Sequence, residues 1–95
     1  IKPYGNIEQV VSRAMVSIGM TKDGNAVNVG DAGIEVRKFL NSHFKDAKDW
    51  VPLKEDTGLI DKNVSNAIKA YQKEKGLVAD GIVGPKTYRA MAQEH

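Results

Sequence analysis

Residues 76–91, GLVADGIVGPKTYRAM, concentrate the groups of this chain that have chemistry to offer a ligand. Pro85 opens a predicted helix. A helix start exposes free backbone N–H groups at the positive end of the macrodipole, which favours a bound carboxylate. Lys86 adds a full positive charge beside that end. Asp80, and Gln72 just upstream, can hydrogen-bond amides. Tyr71 and Tyr88 can stack on a sugar or a peptide. Gly81 and Thr87 sit in the turn that holds these groups together.

Each residue also has a plainer reading. Asp80-Gly81 is a turn dipeptide, because Gly accepts positive φ and Asp can bond an amide two residues on. Thr87 can bond back to Asp80 or Gly84. Lys86 reads as a solvated charge. Tyr71 and Tyr88 lie on core-facing stripes, so only their hydroxyls are expected to emerge. Gly84 suits an N-cap, and Pro85 at the first helical position loses no hydrogen bond. At least one of Ile82 and Val83 should plug into the core. Trp50, the one tryptophan, reads in WVPL as an anchor for a loop rather than as a sugar platform.

Catalytic chemistry finds little support. The chain has no cysteine and two histidines. His43 lies at the edge of a helix's apolar face and His95 is terminal. No HExxH spacing exists for zinc, and His43 has no acid–serine context for a triad. Glu55 and Asp56 are adjacent carboxylates, but a glycosidase needs two that converge across a cleft. A helical chain of 95 residues has little room for one. No metal or cofactor is implied.

The elements that must position these groups are helical. Ile7, Val10, Val11, Ala14 and Ile18 predict a first helix over 6–19, capped by Asn6 with Gln9 as its reciprocal partner. Residues 21–33 read as turn and loop, with Asp23-Gly24 the strongest turn signal. A second helix is expected over 32–45, burying Val36, Phe39, Leu40 and Phe44. Residues 46–58 are irregular, and Pro52 biases Val51 away from helix. A third helix over 62–75 buries Val64, Ala67, Ile68 and Tyr71. Gly76 is its left-handed stop, with Leu77 folding back as a Schellman ending requires. The last helix turns Tyr88, Met91 and Ala92 inward. No run alternates convincingly, so any sheet is minimal.

Composition agrees with one small soluble domain: 41% hydrophobic, 27% charged, formal net charge +2. Cations are mixed with acids, so there is no basic stripe for nucleic acid. No apolar run approaches the roughly 20 residues that span a bilayer. The chain starts at Ile1 rather than methionine, as a processed product or a piece of a longer protein would, and no signal-peptide pattern is visible.

The run has an echo. TGLIDKNVSNAI (57–68) aligns without gaps on DGIVGPKTYRAM (80–91), Gly58 matching Gly81 at an offset of 23 residues. A glycine turn, two apolar residues and a helix start follow in each copy, which predicts two similar turn–helix units packed as a pseudo-symmetric pair. On these residues the chain resembles the peptidoglycan-binding domain family, the small three-helix wall-binding module of many bacterial and phage lytic enzymes. Asp80 to Thr87 are similar to its DG-x-x-G-P-x-T signature. Ala67, Tyr71, Gln72, Gly76 and Leu77 resemble its upstream segment, and Gly30, Gly33, Val36 and Leu40 its opening. The first copy departs from the pattern: Thr57, Asp61 and Val64 replace the family's usual Asp, second Gly and Thr. The loop from Asn41 to Gly58 is longer than usual in the family.

The resemblance implies an all-α three-helix bundle with two pseudo-repeated turn–helix units. Residues 29–95 would form the module, and 1–28 an extra N-terminal helix and linker packed on it or leading into it. It implies a non-catalytic module that binds peptidoglycan, stem peptide and glycan, through Gln72, Asp80, Gly81, Lys86, Thr87, Tyr71 and Tyr88. Such a module would be a monomer tethered to a hydrolase or lysin, in the extracellular or periplasmic wall, with no nucleic-acid or membrane partner. Three alternatives stay open. The chain could be an interaction or structural module of a phage particle or secretion assembly, keeping the fold without wall binding. It could be a minimal muramidase using Glu55 or Asp56. It could be an inhibitory propeptide of the same fold, although that would need a cysteine.

Overall fold

The structure, a computed structural model, describes residues 18–93. Its elements are β1 (Val27–Asn28), α1 (Asp31–Phe44), β2 (Leu59–Ile60), α2 (Lys62–Glu74) and α3 (Pro85–Gln93). The expected all-α bundle is therefore mostly helical with one two-stranded antiparallel sheet, Val27 facing Ile60 and Asn28 facing Leu59. The three helix positions expected from apolar periodicity agree with those observed to within a residue or two.

Local chemistry explains the helix ends. Asp61 caps α2: its Oδ1 accepts from the Val64 amide at 3.0 Å, satisfying a donor the helix cannot. Asp61 stands where the family pattern has glycine, so the departure is itself a helix-start device. At the other end Leu77 N–H donates to Gln72 O at 2.8 Å and Gly76 N–H to Lys73 O at 3.2 Å. Gly76 has φ 73°. This is the expected Schellman ending.

The stripes meet in one core. Val36, Phe39 and Leu40 of α1 join Val64, Ile68 and Tyr71 of α2, Met91 of α3, and Ile60 and Val83 from the turns. Phe39 meets Tyr71 edge-on at 5.2 Å between ring centroids. Between α1 and β2 the backbones touch. A Cβ on Gly33 would overlap the Gly58 backbone, and one on Gly58 would overlap Gly30. Space therefore requires glycine at 33 and 58, while Gly30 is fixed by its backbone, at φ 64°.

The helix predicted over 6–19 falls, as far as residue 17, outside the described residues, as do its cap Asn6 and its partner Gln9. Ile18, placed on that helix's stripe, is not helical. It forms an isolated antiparallel bridge with Val83, the Ile18 amide donating to Val83 O at 3.0 Å and the Val83 amide to Ile18 O at 2.7 Å. The correction has a physical cause. The bridge satisfies both backbone groups of a β-branched residue that is fully buried. Likewise 27–28, within the expected loop, pair with β2.

The long loop between α1 and β2 is pinned by α1. Asn41 Oδ1 accepts from Leu53 N at 2.7 Å and Trp50 Nε1 at 3.2 Å, while its Nδ2 donates to Leu53 O at 2.8 Å. The Trp50 ring stacks on Phe44 at 4.9 Å. Trp50 is thus the loop anchor expected from WVPL.

Candidate ligand-binding site

The turn that precedes α3 is built around one side chain. Gln72, on the last turns of α2, is 1% exposed. Its Nε2 lies 2.9 Å from Asp80 Oδ1, 2.9 Å from Ile82 O and 3.0 Å from Thr87 Oγ1, so its two N–H groups are shared among three acceptors. Its Oε1 accepts from the Gly81 amide at 2.9 Å. Asp80 Oδ1 also accepts from the Ile82 amide at 2.9 Å, the local turn bond expected of an Asp-Gly pair. Gly81 takes φ 74°. Val83 is then driven into the core at 0% exposure. Gly84 O accepts from Tyr88 N at 2.8 Å, starting α3.

Four of the seven residues singled out by sequence, Gln72, Asp80, Gly81 and Thr87, therefore form one network. Thr87 does not bond back to Asp80 or Gly84. Its hydroxyl accepts from Gln72, because the α3 first turn brings it over the carboxamide. Asp80 stays exposed and Lys86 is exposed beside it. Tyr71 is separate from the surface. It is 0% exposed, packed against Phe39 and His43, so its hydroxyl does not emerge as expected. Tyr88 is half-buried against the core.

In front of the network lies a groove of about 510 Å³. Leu77, Val78, Ile82, Gly84 and Pro85 line it together with Gln72, Asp80, Lys86 and Thr87. Val78 is 80% exposed. None of the first five was placed in the site from sequence: Leu77, Gly84 and Pro85 read as helix-end residues, Ile82 as a candidate for the core, and Val78 carried no reading. The signal was present: Val78 lies between the Gly76 helix stop and the Asp80-Gly81 turn, where no helix face can bury it. The long mid-chain loop does not lie on this groove. It borders a separate one of about 870 Å³, with Trp50 and Leu53 on one side and Asn63, Asn66 and Ala70 of α2 on the other.

His43 is packed into the fold. His43 Nε2 lies 3.0 Å from Glu74 Oε1 and the ring packs against Phe44 and Tyr71. Among the described residues no group of three or more His, Cys, Asp or Glu side chains could hold a metal ion.

The family profile described as "Putative peptidoglycan binding domain" matches residues 30–91. The chain belongs to this peptidoglycan-binding domain family. Its match runs from the first of the close-packed glycines to the last core residue of α3. A stretch of 35 residues is also 46% identical to the N-acetylmuramoyl-L-alanine amidase CwlM of Mycobacterium tuberculosis. That stretch covers 37% of this chain and 9% of the amidase. No solved structure gives a significant match. Membership in this family supports peptidoglycan as the partner and association with the cell wall. Among the described residues no helix is long and apolar enough to cross a membrane.

Proposed function

We propose that this peptidoglycan-binding domain is a non-catalytic anchor that holds an attached hydrolase or lysin on the wall, and that its contact surface is the groove at the start of α3. One observation supports this placement: the Gln72 network fixes a groove, uncovered among the described residues, in which Asp80, Lys86 and the first turn of α3 stand side by side. Gln72 and Thr87 act as its rigid floor. Asp80 spends Oδ1 on the turn and keeps Oδ2 for an amide of the ligand. Lys86 and the α3 amides suit a stem-peptide carboxylate. Tyr88 contributes from beneath as packing, and Tyr71 only by supporting α2.

Residues 29–95 are the anchor in this reading. Residues 1–28 lead into it, and the Ile18–Val83 and β1–β2 pairings support a segment that packs on the anchor. A shallow groove of this kind suits modest affinity in a monomer, with tethering raising the effective concentration of the enzyme at an insoluble substrate. The partner enzyme and its extracellular or periplasmic setting belong to the same proposal.

Co-sedimentation with purified wall sacculi tests it. The domain should pellet with sacculi without clearing their turbidity. Lys86→Glu should reduce the pelleted fraction severalfold at unchanged circular dichroism. Clearing of the suspension would point to an enzyme. A pelleted fraction no higher than that of an unrelated protein of similar charge would overturn the reading and favour an interaction module.

A further inference from the structure

A second groove, of about 470 Å³, continues from the first and shares Leu77 and Lys86 with it. Its other lining residues are Lys75, Arg89, Ala90 and Gln93. Three of these six side chains are cations, and among the described residues no acid lines the groove. The stretch that supplies most of them, PKTYRAMAQ, contains no acid at all. Elsewhere the chain mixes its signs, with 14 basic and 12 acidic residues in total, so a one-sign lining is a local departure. Lys75 Nζ lies 5.9 Å from the Tyr71 ring centre, which holds that side chain against the α2 end. Lys86 and Arg89 are exposed, one turn apart on α3. Leu77 and Ala90 add apolar surface to the same groove.

We propose that this cationic groove makes the domain selective for stem peptides with free carboxylates over those whose carboxylates are amidated. The inference rests on the wall-binding reading and adds the ligand's chemical form. Lys86 and Arg89, both exposed and one turn apart, match a peptide that carries more than one carboxylate. The guanidinium of Arg89 can grip one with two parallel hydrogen bonds. The apolar surface suits the methyl and methylene groups of alanine and diamino-acid residues between those carboxylates. A polyol phosphate chain would bring charge but nothing to lay on Leu77 and Ala90. Amidation removes the charge and adds donors that face donors, so it weakens binding twice over.

The test uses the purified chain and two soluble muropeptides of one sequence, with free and with amidated carboxylates, titrated by calorimetry. The free form should bind about tenfold tighter at low salt, and the difference should shrink as salt rises. Arg89→Gln should cut that ratio to about twofold, while binding of the amidated form changes little. Equal binding of both forms, with co-sedimentation on sacculi intact, overturns this inference and leaves the wall-binding reading standing. Failure to pellet with any sacculi overturns both. Pelleting that disappears once phosphodiester polymers are stripped from the sacculi overturns it in favour of a phosphate ligand.

Discussion

Gln72 and Arg37 perform the same task in the two turn–helix units. Gln72 Nε2 donates to the Ile82 carbonyl at 2.9 Å. Arg37 donates to the Leu59 carbonyl from Nη2 at 2.7 Å and from Nε at 3.0 Å. Leu59 and Ile82 are matching positions of the internal repeat. In each unit a buried polar side chain from the preceding helix ties down the glycine turn. The residue types differ because the first unit must also hold the long loop: Arg37 Nη1 reaches Lys54 O at 3.1 Å, and its Nη2 lies 3.6 Å from Asp61 Oδ2.

Removing the Gln72 carboxamide should cost more than removing a typical surface polar group. Gln72→Met keeps the volume but leaves the buried Gly81 amide and the Thr87 hydroxyl without the partner they now have. Each such loss costs about 1–3 kcal/mol. A total of about 2–4 kcal/mol is expected in urea unfolding. Gln72→Glu should be at least as damaging, because a carboxylate cannot donate to Ile82 O and would face Asp80 Oδ1. A Gln72→Met protein within about 0.5 kcal/mol of wild type would show that the network is dispensable.

Arg37→Met should loosen the mid-chain loop rather than unfold the bundle. The Leu59 and Lys54 carbonyls lose their donor, for about 1–3 kcal/mol. Amide exchange should accelerate across residues 54–60, and limited proteolysis should cut between 45 and 58. The amides of α2 should keep their protection, since Asp61 still caps that helix. Uniform loss of protection in all three helices would contradict this local role.

Much of this was legible in the sequence because the signals were local. The Asp80-Gly81 turn, the Gly76 stop and the Trp50 anchor depend on residues within a few positions, and apolar spacing places Val36, Ile68 and Met91 in the core. What escaped was set by distant contacts. Ile18 fits a helical stripe, but its strand-like bridge depends on Val83, far along the chain. Nothing local marks Arg37, and only the fold brings Leu59 O to it. Gln72 was singled out as a residue with something to bind. The structure shows what it binds within the chain, four groups of the turn.

The departure of the first repeat can be tested by reversing it. Asp61→Gly restores the glycine of the second copy, Gly84. Asp61→Ala does not. Loss of the Val64 cap should cost about 1 kcal/mol for alanine and only a few tenths for glycine. Both variants also lose the partly exposed Arg37 contact, which cancels in the comparison. Denaturation midpoints should therefore rank wild type above Asp61→Gly above Asp61→Ala. Equal midpoints for the two variants would mean that the cap contributes nothing.

Gly81 is held by two constraints, and a pair of substitutions separates them. Its φ of 74° disfavours any Cβ, at about 1–2 kcal/mol. A Cβ there would also collide with Ser65 Oγ and lie 3.1 Å from Lys69 Cε. Lys69 is an exposed flexible chain and can move, whereas Ser65 is only 3% exposed, so its hydroxyl is the harder contact to relieve. Gly81→Ala should therefore cost clearly more than Gly24→Ala, where φ is 80° but nothing lies within 4 Å. In a Ser65→Ala background the hydroxyl is gone, so the cost of Gly81→Ala should fall toward the Gly24→Ala value. The coupling between positions 65 and 81, read from denaturation of the four proteins, should then be favourable by about 1 kcal/mol or more. Additive costs would mean that backbone conformation alone, and not the contact with α2, fixes glycine at this turn.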